Sequence, residues 1–289
     1  MGSLWTAFRE LFADSGFSMS GAVAFSFVLS LFPFCIFLTA LASYFGGEKL
    51  AAAAVAQLFE LVPEPVAKVL EPEVRAVMGS SRIGLLTFGA LIALFFATSA
   101  IETLRAALNT AYREKEHQNY IVCLLQSFVL VLLSALGMLA IAWGVVVGPQ
   151  FMSKAKPEWL KWLADHGWSA VITRYLIVSV ILGLQLLTYH LWLAAGRRTL
   201  RDVLPGVLLS IALWILAAKL FAAWLTISDY SRFYAGLTQI MVALAFFQLT
   251  AIIVILGAEL NRGLIEVRHR RNGYESRRAQ EAMLPKDSA

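Results

Sequence analysis

Apolar residues in this chain come in uninterrupted blocks, not in alternation with polar ones and not on one face of an otherwise polar helix. Six blocks stand out, at about 20–45, 83–101, 120–147, 171–193, 204–226 and 235–258. A helix needs about 20 mostly apolar residues to cross a hydrocarbon core, and each block is near that length or longer. No stretch shows the period of two that marks a membrane strand. A helix satisfies its own backbone hydrogen bonds, which lipid cannot do for it. The pattern therefore predicts an all-α, polytopic membrane protein with six transmembrane helices.

The segments between the blocks are patterned too. Leu4, Trp5, Phe8, Leu11 and Phe12 fall on one helical face and Arg9, Glu10 and Asp14 elsewhere, which predicts an interfacial N-terminal helix. The apolar run that follows is too long for a signal-peptide core and is expected to be retained. Residues 48–80 hold an alanine-rich stretch, Pro63-Glu64-Pro65, a short amphipathic stretch and Glu71-Pro72-Glu73. They read as two or three short outer-face helices. Trp159, Trp162 and Trp168 among charges within 151–168 have the composition of an interfacial aromatic belt. Beyond Asn261 the chain turns polar, so a membrane domain over 1–265 is followed by a basic tail over 266–289. That tail is expected to be a fraying helix, then disordered from about Gly273.

Composition agrees with the pattern. The 289 residues are 59% apolar and 15% charged, with mean hydropathy +0.71, whereas soluble domains carry about 25% charge. Net charge is +5, and its placement favours membrane lipids over nucleic acid as the partner. With six spans both termini share a side. That side holds Arg9, Arg105, Arg113, Lys115, Arg197, Arg198, Arg201 and seven basic residues of the tail, fourteen in all, against eight in the longer opposite loops. Both termini are therefore expected to be cytoplasmic.

Polar groups at membrane depth are the candidate site, because each is costly unless paired or wetted. Ser26, Ser30 and Pro33 share a narrow stripe of the first span, and Pro33 lacks the amide that would bond Leu29, which predicts a kink. Thr98, Glu102, Arg105 and Asn109 form a stripe about 60° wide at the inner end of the second span. Gln248 and Glu259 share a face of the last span, close to Asn261, and an Arg105–Glu259 contact is geometrically open. These stripes either line a cavity or fasten helices together. Lys219 is expected to snorkel, and His190 to be a packed, hydrogen-bonded histidine.

Catalytic chemistry is hard to find. His117, His166, His190 and His269 are scattered, and Cys35 and Cys123 sit in apolar runs as packing residues. No metal-ligand spacing, phosphate-binding glycine loop or nucleophile elbow occurs. No catalytic residue, metal or cofactor is expected.

Three stretches resemble the YihY/BrkB family of bacterial inner-membrane proteins, once labelled ribonuclease BN. They are Ala24 to Pro33 with its Leu-Ser-Leu-Phe-Pro core, Leu108-Asn109-Thr110-Ala111-Tyr112, and Leu204-Pro205-Gly206 through Tyr230 and Tyr234-Ala235-Gly236 to Gly257-Ala258-Glu259-Leu260-Asn261. Ala235 departs from the family's usual Tyr-Gly pair. The resemblance implies a six-span inner-membrane protein, with export of lipid-related molecules and support of envelope integrity among the proposed roles. A transporter or flippase for a lipid or other amphiphile is the leading expectation. A structural or assembly factor is the alternative, and a membrane enzyme, the ribonuclease included, ranks last.

Overall fold

Long runs of Leu, Ala, Phe and Ile with few breakers form helices, and every regular element among the described residues is helical. The computed structural model describes residues 2–13, 15–60, 83–154, 180, 182–227 and 238–283. The elements are α1 (Gly2–Ala13), α2 (Gly16–Glu60), α3 (Ile83–Tyr112) and α4 (Tyr120–Lys154). They continue with α5, α-helical over 182–188 and closing in a π-helical turn at Tyr189–Leu193, α6 (Leu200–Ile227) and α7 (Thr238–Met283).

The helix ends have local causes. Ser15, at φ 58°, takes the left-handed conformation that separates α1 from α2. Arg113, at φ 56°, ends α3: its N–H bonds the Thr110 carbonyl at 3.0 Å and that of Glu114 bonds the Asn109 carbonyl at 2.9 Å, the paired pattern of a Schellman cap. At the start of α6 the Asp202 carboxylate accepts from the Thr199 N–H at 3.0 Å and hydroxyl at 2.7 Å, the first of these being one half of a capping box.

In the bundle α2 packs along α3, and α7 lies against α2, α6 and α3; α4 covers α2 and α3, and α1 rests on α7. Cys35 and Cys123 are buried in the packing, as expected. By length and hydropathy, Tyr120–Leu139, Leu200–Leu225 and Ile240–Arg270 are long and apolar enough to cross a membrane. Gly16–Leu31 and Pro33–Thr39, bent by 43°, pass the same test together. The kink expected at Pro33 is there.

Two expectations are corrected. The alanine-rich stretch after Glu48 is part of α2, and Leu50, Ala51, Ala54, Val55 and Phe59 are buried in the core instead of lying on an outer face. Spacings of one, three and four put them on one stripe, and small alanines admit close packing. Leu31 and Phe59 line one cavity, although a straight helix would hold them about 42 Å apart. Hence α2 bends further than at Pro33 alone. Beyond Gly273, where order was expected to fade, α7 stays helical to Met283. Glu266 helps by pairing with Arg262 at 3.8 Å and Arg270 at 2.5 Å, one turn away on either side. The outer-face helices expected within 61–80, Trp159, Trp162 and Trp168, the start of the fourth span and the Tyr234–Gly236 turn lie outside the described residues.

Candidate functional site

The polar residues of the bundle fall into two places: a sealed layer at one end, where α3, α5, α6 and α7 converge, and an apolar cavity deeper in. Arg105 organises the layer. Its side chain projects from α3 and is only 4% exposed. One terminal nitrogen donates to Gln126 Oε1 at 2.8 Å and the Leu193 carbonyl at 3.2 Å. The other donates to the Cys123 carbonyl at 2.8 Å and Ser127 Oγ at 3.1 Å. Nε lies 3.2 Å from Glu102 Oε2, and Glu116 is 3.7 Å from the guanidinium. Ser127 passes its own proton to Glu102 Oε1 at 2.5 Å. Asn109, one turn beyond Arg105, accepts from the Ala195 N–H at 2.7 Å and donates to Glu116 at 3.2 Å. One buried cation thus binds α3 to α4 and to the end of α5.

A second group sits beside it. Asn261 of α7 accepts from the Gly206 N–H at 2.7 Å and donates to Tyr112 Oη at 3.2 Å. Tyr112 Oη lies 2.8 Å from His190 Nδ1. With Asn261 donating to the phenol oxygen, the phenol proton goes to Nδ1, and the imidazole carries its own proton on Nε2, which is buried without a protein partner. The Arg198 guanidinium lies 3.5 Å over the Tyr112 ring, a cation–π contact, and caps α5 through the carbonyls of His190 (3.4 Å) and Ala195 (2.5 Å). Burial pulls the Arg198 guanidinium below its ordinary value, opposed by Tyr112 and Glu114. Close approach of α6 and α7 makes this possible. A Cβ on Gly206 would collide with the Gly257 carbonyl oxygen, and one on Gly257 with Ser210 Oγ.

A third group ties α1 to α7. Glu259, 1% exposed, accepts from Arg262 Nε at 3.1 Å and from a terminal nitrogen at 3.0 Å. The same terminal nitrogen bonds Glu10 of α1. Aromatic residues occupy the other face of α1: Trp5, Phe8 and Phe12 are exposed and in ring contact, continuing to Phe17 of α2.

The cavity, about 360 Å³, opens between α2, α3, α4, α5, α6 and α7. Its wall is apolar, with Phe27, Phe34, Met138, Trp214 and Phe247 among the large side chains. Ser30, Ser134, Gln185, Tyr189 and Thr250 are its polar lining. Gln185 Nε2 lies 2.6 Å from Ser134 Oγ and 2.5 Å from Tyr189 Oη.

The sequence-derived candidates are therefore divided. Ser30 lines the cavity and bonds back to the Phe27 carbonyl at 3.0 Å. Ser26 meets Thr103 Oγ1 at 3.1 Å, a link between α2 and α3. Pro33 bends α2, Thr98 bonds the Leu94 carbonyl of its own helix at 2.6 Å, and Gln248 faces Gly21 of α2. Glu102, Arg105, Asn109, Glu259 and Asn261 all belong to the polar layer. The Arg105–Glu259 contact is replaced by two separate pairings, because each charge has a nearer partner three residues away on its own helix: Glu102 for Arg105 and Arg262 for Glu259. His190 is packed and hydrogen-bonded as expected, and Lys219 is exposed. Sequence reasoning missed Ser127, Ser134 and Tyr189 as polar partners, and no local signal marks them. Among the described residues, no group of three or more His, Cys, Asp or Glu side chains is arranged to hold a metal ion.

Comparison with known proteins bears on these residues. A family model described as virulence factor BrkB matches residues 7–282. The putative ribonuclease-like protein YfkH of Bacillus subtilis (strain 168) is 28% identical over 259 residues, covering 88% of this chain and 93% of that protein. No solved structure is a significant match.

Proposed function

Since the chain belongs to the virulence factor BrkB family, we propose that it moves a lipid or other amphiphile across the bacterial inner membrane, crossing it six times with both termini cytoplasmic. The cavity carries this reading. At about 360 Å³ it falls within the range of about 300–1,000 Å³ usual for small-molecule sites, and its wall suits an acyl or similar chain. The orientation rests on the basic residues: the polar layer with Arg105, Arg198 and Arg262 is the basic end of the bundle, where the positive-inside rule puts the cytoplasm. The interfacial role of α1 rests on its exposed aromatic face.

Gly137 supplies the test. It lines the cavity, and a Cβ there meets nothing within 4 Å, so Gly137→Phe plugs the space without a clash at its root. Vesicles containing the full chain are expected to flip a fluorescent acyl-lipid at least about tenfold faster than protein-free vesicles, a barrier change of about 1.4 kcal/mol. Gly137→Phe is expected to remove most of that gain while the protein melts as before. Absence of flipping, or flipping unaffected by the plug, refutes the proposal.

A second reading, a structural or assembly factor, is favoured by the polar layer, whose hydrogen bonds fasten helices together. It predicts that the layer's substitutions lower abundance without changing flux per folded molecule. We propose no enzymatic activity and no nucleic-acid partner. YfkH carries a ribonuclease-like name, but in this chain the half-buried carboxylate of Glu102 and the buried one of Glu259 are engaged by arginines. Metal-dependent cleavage of RNA by the purified chain would overturn that.

A further inference from the structure

We infer that the cavity selects an amphiphile whose polar group is uncharged and hydroxylic, a long-chain alcohol in the simplest case, and that the Gln185 amide recognises it. This rests on the cavity being a lipid site. Among its polar lining groups, Ser30 and Thr250 donate to carbonyls of their own helices, Phe27 and Phe246, each at 3.0 Å. Ser134 and Tyr189 both sit on the nitrogen end of the Gln185 amide. Among the described residues, the oxygen end of that amide has no hydrogen-bond partner. The amide and its two hydroxyl neighbours then form one hydrogen-bonding cluster in an otherwise apolar wall.

Among the described residues, no Asp, Glu, Lys, Arg or His lines the cavity. A carboxylate or phosphate drawn inside would lose its hydration with nothing to neutralise it. A hydroxyl both donates and accepts, so it satisfies the amide whichever way its oxygen and nitrogen are assigned. Tyr189 also opens the π-helical turn of α5, an irregularity frequent at functional sites. Phenylalanines and Met138 line the same cavity, and the flexible methionine adapts to a chain.

Trp214 lines the cavity and reports on its contents. The full chain in lipid nanodiscs is titrated with ω-bromododecanol, ω-bromododecanoate and bromododecane at about pH 8, where the carboxylate is ionised, and bromine quenching of tryptophan is followed. Trp214→Phe assigns the signal. The alcohol is expected to quench saturably, and the carboxylate to bind at least about tenfold more weakly. Gln185→Leu is expected to weaken the alcohol about threefold to tenfold, toward the level of the alkane. An alcohol no better than the alkane or the carboxylate overturns the recognition by Gln185 but leaves a lipid cavity standing. Failure of all three probes to quench Trp214 saturably overturns both. If Gln185→Leu does not fold, the ranking of the three probes on the unaltered protein decides alone.

Discussion

Arg105→Met is the sharpest probe of the polar layer. The substitution keeps most of the side-chain volume and removes one cation that serves Gln126, Ser127, two carbonyls and two carboxylates. Removing one partner of a buried ion pair costs about 3–5 kcal/mol. Glu102 and Glu116 keep 24% and 26% side-chain exposure, so water recovers part of their hydration, which puts the expected loss near 3 kcal/mol. The Cys123 carbonyl adds little, since it lies near the start of α4 where a later N–H of the same helix is placed to bond it, whereas the Leu193 carbonyl ends α5 and loses a donor. Arg105→Lys keeps the charge but not the planar fork that reaches α4 and α5 at once, and should fall between. The double variant Arg105→Met with Glu102→Gln no longer strands a carboxylate on the same helix and should recover about 1 kcal/mol or more. Scanning fluorimetry of the detergent-solubilised chain reads these differences: at about 2–4 °C per kcal/mol, Arg105→Met should melt roughly 6–12 °C lower. Melting within about 2 °C of the unaltered protein, or a double variant no better than the single one, would refute the account of Arg105 as the tie between α3, α4 and α5.

Two further outcomes follow from the crossing of α6 and α7. Gly206→Ala drives a methyl into the Gly257 carbonyl and should cost about 3 kcal/mol, seen as loss of monodisperse protein after extraction; Gly263→Ala, with nothing within 4 Å of its Cβ, is the matched control and should be harmless. Tyr112→Phe removes the bonds to His190 and Asn261 but leaves the ring under Arg198, for a loss of about 1–3 kcal/mol. Tyr112→Leu gives up the ring as well and should melt lower still, so the reverse order in the melting curves would contradict the cation–π assignment.

Much of the site was legible along the chain, in an uneven way. Two of the three stretches that carry the family resemblance turn out to meet, through Asn109 and Tyr112 on α3, Gly206 on α6, and Gly257, Glu259 and Asn261 on α7, while the third, Ala24 to Pro33, lies apart and places Ser30 in the cavity wall. Their residue types are explained by the meeting, since glycine admits the neighbouring backbone and asparagine bridges an N–H to a phenol. The stripe on α3 was also readable, because helical periodicity puts residues three and four apart on one face. Arg105–Glu259 shows the limit. Periodicity says which face a side chain occupies and not which helix lies opposite, and a long arginine takes the nearest acceptors that its neighbours offer.

What the amino-acid sequence determined by itself is the solvent this chain must meet. Blocks of apolar residues with no period of two can bury their backbone only as helices, and their excess of apolar surface demands lipid; the same list of residues locates nearly every costly polar group. The tertiary structure alone decided how those groups are spent. Bending of α2, close passage of α6 over α7 and the approach of α5 to α4 are set by side-chain shapes on different segments far apart in the chain. They gather Glu102, Arg105, Arg198, Glu259 and Arg262 into one layer and leave Gln185, Ser134 and Tyr189 facing an apolar cavity. No local pattern encodes that division, because it arises only when the helices are packed against one another.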